Sequence, residues 1–194
     1  MKVGILVFND VEVLDFAGPY EVFSLSRKEN KKLFEVFTIG EKTELIRAVN
    51  GLQIIPDYSF EDCPLIDILV VPGGFGARKI EICNKAVIEW IGKQSEKTTI
   101  VASVCTGAFL LAEAGLLNNK RVTTHWKHTK ELGTTYPLLH VEENVKYIDE
   151  GCIITSAGIS AGINMSFYII SKLFGTIISQ ETAKNMEYDI ILAS

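Results

Sequence analysis

The chain has four cysteines in 194 residues, Cys63, Cys83, Cys105 and Cys152, and no two form a CxxC pair. Their wide, irregular spacing argues against a disulfide scaffold in a chain of this size. The three histidines, His125, His128 and His140, belong to no HExxH motif and no Cys/His cluster with ligand spacing. A metal site is therefore not expected. No apolar run approaches the roughly 20 residues needed to cross a bilayer. The first residues, MKVGILVFNDVEVLD, lack a small-residue cleavage site and run directly into acidic sequence, so they read as a strand and not a signal peptide. A cytoplasmic location without membrane contact is expected. Basic residues are also in short supply, 19 against 24 acidic, for a net charge of −5. The one dense cluster, Arg27, Lys28, Lys31 and Lys32, reads as a solvated helix end and loop. Nucleic-acid binding is not expected of this chain.

What the sequence does have is 47% apolar residues in short blocks, enough for one domain with a substantial core. Strand-like and helix-like blocks alternate. Residues 2–8 are β-branched and apolar with no polar face, the pattern of a strand buried on both sides; 67–71 and 98–104 read as further buried strands, and 34–39 as a strand ended by Gly40. Residues 15–28, 78–95, 106–114, about 125–133, 160–174 and 179–190 read as helices. Two hairpins are expected, at 44–55 around Asn50-Gly51 and at 145–156 around Asp149-Glu150-Gly151. Repeated β-then-α units predict an α/β fold: a doubly wound, mainly parallel sheet in a single domain spanning residues 1–194. In such folds ligands bind beyond the carboxyl ends of the strands, which directs attention to three segments.

The first is Ser103-Val104-Cys105-Thr106-Gly107. A buried strand runs into a nucleophilic residue, a helix follows at once, and small residues stand two before and two after the cysteine. This is the logic of a nucleophile elbow with sulfur in the place of the serine hydroxyl. It lifts the sulfur toward a cleft and sets it at a helix N-terminus, where thiolate is favoured. The second is Gly73-Gly74-Phe75-Gly76, which is neither a P-loop nor a dinucleotide fingerprint. Its amides, with Gly74 paired to the Thr106 N–H, can form an oxyanion hole; a plain tight turn accounts for it equally well. The third is Asp15, between apolar neighbours at a helix start. It reads either as the N-cap or as a carboxyl facing Cys105 to move protons. Asp15 lies seven residues beyond Phe8, so the second role requires the 9–14 loop to fold back. Val11, Val13 and Ile159 are candidates to line the cleft.

These segments, LDFAGPYEVF at 14–23, VPGGFG at 71–76, SVCTGAFLLAEAGLL at 103–117, TTHW at 123–126 and SAGISAGI at 156–163, resemble the ThiJ/PfpI superfamily with its flavodoxin-like, class I glutamine-amidotransferase-like fold. Within it the chain is most similar to isonitrile hydratases and to the amidase-like domains of AraC-type regulators. The resemblance implies Cys105 as nucleophile, Asp15 as the adjacent acid, and Gly73, Gly74 and Thr106 around the sulfur. It implies a small-molecule substrate and a homodimer; the sequence itself gives no sign of a cofactor. The peptidase-like members carry His directly after the cysteine; Thr106 stands there in this chain, which argues against proteolysis. His125 reads as a structural or supporting residue. With the sequence running to Ser194, the regulators' helix-turn-helix domain and its DNA binding are not expected here. Isonitrile hydration is the leading expectation. The alternatives are a glyoxalase-like reaction on 2-oxoaldehydes and a non-catalytic thiol sensor or effector-binding domain.

Overall fold

A computed structural model describes residues 1–190. Seven strands form one sheet: β1 Lys2–Leu6, β2 Glu35–Gly40, β3 Tyr58–Ser59, β4 Ile68–Val71, β5 Ile100–Ser103, β6 Tyr147–Asp149 and β7 Ile153–Ser156, in the spatial order β6-β7-β5-β4-β1-β2-β3. Every pairing is parallel except β6 with β7. The helices are α1 Val13–Leu25, α2 Phe75–Lys79, α3 Lys85–Ser95, α4 Gly107–Glu113, α5 Thr129–Thr135, α6 Ala161–Phe174 and α7 Thr176–Asn185. α1, α6 and α7 pack on one another, and α2, α3 and α4 form a second group. The central strands are sealed by this arrangement: Val3, Ile5, Ile68, Val70 and Ile154 are wholly buried. This is why they appear in the sequence as unbroken apolar runs. Among the described residues no helix is long and apolar enough to cross a membrane.

After β1 the chain first adds β2 on one side, then returns to place β4 on the other. The connections change direction between β1 and β4, and a crevice opens at that point beyond the carboxyl ends. The segments after β1, β4 and β5 meet there.

Several boundaries differ from the sequence-based expectation. The first helix runs from Val13 to Leu25, and its N-cap is Glu12, not Asp15. The basic cluster is neither helix end nor loop. Arg27–Lys28 pairs antiparallel with Lys31–Lys32, turned by Glu29 and Asn30 at φ 50° and 63°. Two residues at positive φ make the tight turn that hairpins favour. The span 78–95 is broken: α2 ends at Lys79, and Asn84 restarts the chain as α3 by accepting the Ala86 N–H at 3.1 Å. The short edge strand β3 has no counterpart in the expectation. The hairpin at 44–55 is present, with Ile46–Arg47 against Gln53–Ile54 and Asn50 and Gly51 at positive φ.

α1 is pinned to the fold by aromatics. Phe23, fully buried, meets Phe34 edge-to-face at 5.0 Å, and Phe34 meets Phe174 of α6 at 5.5 Å. Phe23→Ala should lower unfolding stability by about 3–5 kcal/mol, read as a fall in urea midpoint with unchanged slope.

Candidate active site

The loop after β1 does fold back. The Glu12 N–H donates to the Gly73 carbonyl at 2.9 Å, the Gly76 N–H donates to the Asp10 carbonyl at 3.0 Å, and Val11 forms an isolated antiparallel bridge with Gly74. Stitched in this way, the start of α1 lies against the turn after β4. Asp15, in the first turn of α1, points inward and is wholly buried. Its Oδ2 accepts the Gly73 N–H at 3.0 Å. Gly73 has no room for a side chain: a Cβ there would sit 2.5 Å from the Thr106 amide nitrogen and 3.0 Å from Asp15 Oδ2.

Cys105 follows β5 with φ +56°, the left-handed region that side chains rarely adopt. Its N–H donates to the Ala157 carbonyl at 3.2 Å, and its carbonyl accepts the Thr124 hydroxyl at 2.7 Å. Gly107, two residues on, lies so close to the Val71 carbonyl that any Cβ would overlap it, which explains the small residue after the elbow. α4 begins only at Gly107, so the sulfur precedes the helix rather than capping it.

The sulfur and the Asp15 carboxyl face each other, close enough that each alters the other's hold on its proton. Asp15 Oδ1 is buried with no conventional hydrogen-bond partner; the thiol and the Ile159 amide lie beside the carboxyl. Burial pushes the Asp15 pKa up to about 7, opposed by the Gly73 N–H and assisted by the charge of Glu12. The Cys105 residue is only 6% exposed. Burial, then the Asp15 charge, push the thiol well above its ordinary range, while the Thr106 and Ile159 amides pull it down. The expectation of a resting thiolate is thereby corrected, because loss of water outweighs the nearby N–H groups.

The glycine turn also differs from expectation. The Gly74 N–H is occupied: it donates to Thr106 Oγ1 at 2.9 Å, and that hydroxyl reaches back toward the Gly74 carbonyl at 3.3 Å. The amides beside the sulfur are those of Thr106 and Ile159. The sequence reading assigned Ile159 only to the apolar lining. The residue sits at φ +52°, an outlier for a β-branched side chain costing on the order of 1–3 kcal/mol. Val11 is sealed in the core and lines no cleft. Among the described residues no cluster of three or more His, Cys, Asp or Glu side chains is placed to hold a metal ion.

The family model "DJ-1/PfpI family" matches residues 1–172. The chain belongs to the DJ-1/PfpI family. Among curated members it is 32% identical to the isonitrile hydratase of Pseudomonas putida over 188 residues, 97% of this chain and 78% of the relative. It is 26% identical to the HTH-type transcriptional regulator CdhR of Pseudomonas aeruginosa over 179 residues, 92% of this chain but 52% of the regulator. The chain thus spans about half the length of that relative. A solved DJ-1/PfpI fold, the THiJ/PfpI family protein from Pseudomonas syringae, superposes with a TM-score of 0.86 at 22% identity, covering 98% of this chain and 76% of that one.

Folding raises the Asp15 pKa above its ordinary 3.8, so the native state favours the protonated carboxyl. The Asp15 contribution to stability is therefore greatest at low pH, falls as pH climbs from about 4 to about 7, and stays reduced above that. Asp15→Asn should flatten this slope and be the more stable protein at pH 8, by up to about 4 kcal/mol. Urea unfolding at four or five pH values across this range measures it.

Proposed function

We propose that this protein is an isonitrile hydratase that converts small, uncharged isonitriles to N-substituted formamides. The observation that carries the reading is a thiol and a carboxyl buried face to face, with no histidine beside the cysteine. A carboxyl with a pKa of about 7 accepts and returns protons with equal ease near neutral pH. The 32% identical isonitrile hydratase supports the same reading.

The reaction proceeds as follows. As Cys105 Sγ bonds to the terminal isonitrile carbon, the Asp15 carboxylate takes the thiol proton and passes it to that carbon, giving a thioimidate. A water then adds to the same carbon. Asp15 removes one of its protons and delivers it to nitrogen. The carbon–sulfur bond breaks, the new hydroxyl becomes the formyl carbonyl, and its proton returns through Asp15 to sulfur. Isonitrile and water are consumed, formamide is released, and the thiol and carboxylate are restored. The amides of Thr106 and Ile159 stabilise charge on sulfur while the bond forms. Val13 and the partly exposed Ile159 present apolar surface to the substrate. A thiol held by burial above its ordinary pKa suits this coupled transfer better than oxidant sensing, which depends on exposed thiolate.

Incubation of the protein with a simple alkyl isonitrile should yield the matching formamide, followed by mass spectrometry, and Cys105→Ala should yield none. The working form has Asp15 ionised and Cys105 protonated. kcat/KM should therefore rise through pH 7 to a plateau and stand about thirtyfold lower at pH 5.5. Asp15→Asn should lose that pH dependence along with about 10²–10⁴-fold of the rate. Formamide from Cys105→Ala, or lactate from methylglyoxal with no formamide from isonitriles, would overturn the proposal.

A further inference from the structure

The TTHW segment plays no part in the chemistry above, yet two of its side chains bear on the elbow, one directly and one through a neighbouring loop. Thr123 and Thr124 are both buried. The Thr124 hydroxyl holds the Cys105 carbonyl at 2.7 Å. His125 presents its ring to the loop that joins β7 to α6. A Cβ added to Gly158 would overlap the ring at Cδ2 and come within 3.0 Å of Cγ. The ring is fixed in turn: Nδ1 accepts the Lys127 N–H at 3.2 Å, and the Trp126 indole stacks beside it at 5.8 Å with 27° between the planes. The loop seated on this ring supplies the Ala157 carbonyl, which accepts the Cys105 N–H, and the Ile159 amide, which lies beside the sulfur. Both backbone polar groups of Cys105 are thus held from one side, one by Thr124 directly and one by the loop that rests on His125.

We infer that Thr124 and His125 are positioning residues that keep the Cys105 sulfur buried against Asp15. Neither touches the reacting atoms. A residue at φ +56° needs outside contacts to keep it there. These two contacts lock the elbow in the conformation that withdraws the sulfur from water. Without the Thr124 hydroxyl, or without the flat ring under Gly158, the elbow relaxes toward ordinary backbone geometry and the sulfur swings outward. The inference rests on the Cys105–Asp15 site but not on its substrate.

The test is the rate of Cys105 alkylation by iodoacetamide across pH, resolved by peptide mass spectrometry, with no isonitrile present. Half-buried Cys63 serves in the same sample as a reporter of general loosening. Thr124→Val and His125→Ala should each speed Cys105 alkylation at least about tenfold and lower its apparent pKa, with the Cys63 rate unchanged. Thr124→Ser retains the hydroxyl and His125→Phe retains the flat ring, so both should stay within about twofold of wild type. Should Thr124→Val fail to fold, the two His125 variants decide. The inference is overturned if the Cys105 profile superimposes on wild type, or if Cys63 accelerates in step with Cys105, the mark of a general structural role. Absence of isonitrile turnover would remove the proposed reaction and leave this result standing.

Discussion

A carboxyl and a thiol are both costly to ionise away from water, and here they are buried together. The second charge is dearer than the first, because a thiolate beside a carboxylate places like charges in a medium that screens poorly. The pair is therefore driven to retain a proton, and the surrounding backbone is arranged around that need. The Gly73 N–H holds one carboxyl oxygen and leaves the other free. The Thr106 hydroxyl absorbs the Gly74 amide that would otherwise compete for the site. Two amides remain directed at sulfur. The crevice at the point where the strand order reverses is what allows three separate turns to converge on one proton.

Much of this was legible in the sequence. Strands at 2–8, 67–71 and 98–104 are evident because burial on both faces leaves their central residues apolar. The elbow is evident because small residues stand two before and two after Cys105, as the close approach of Gly107 to the Val71 carbonyl demands. The interruption between α2 and α3 is hidden because apolar spacing continues through it; only the capping carboxamide of Asn84 marks the restart. The basic hairpin is hidden because nothing about Lys and Arg at Arg27–Lys32 favours a strand; the local signal is the Glu29-Asn30 turn.

The site was legible in its members but not in their states. An aspartate near a helix start looks the same whether it caps the helix or turns inward, and the deciding partner, Gly73, is far away in sequence. The thiol was expected to ionise from its place in the chain, yet proton affinity follows solvent access, a property of the completed fold. Ile159 contributes through its backbone N–H, which no reading of side chains reveals. The available clue was its position, immediately after a strand end, like Gly73 and Cys105.

The parallel order of the sheet has a consequence for the chain as it is made. Ala157 and Ile159, which hold and flank the sulfur, follow β7, the last strand to join. Parallel strands pair only after long intervening segments are complete, and such non-local contacts form late. While the ribosome is still extending the chain beyond residue 105, the thiol is an ordinary one, open to any electrophile or oxidant nearby. Its protection arrives only with the final third of the sequence, so a truncated or stalled product would carry the reactive group without its shelter.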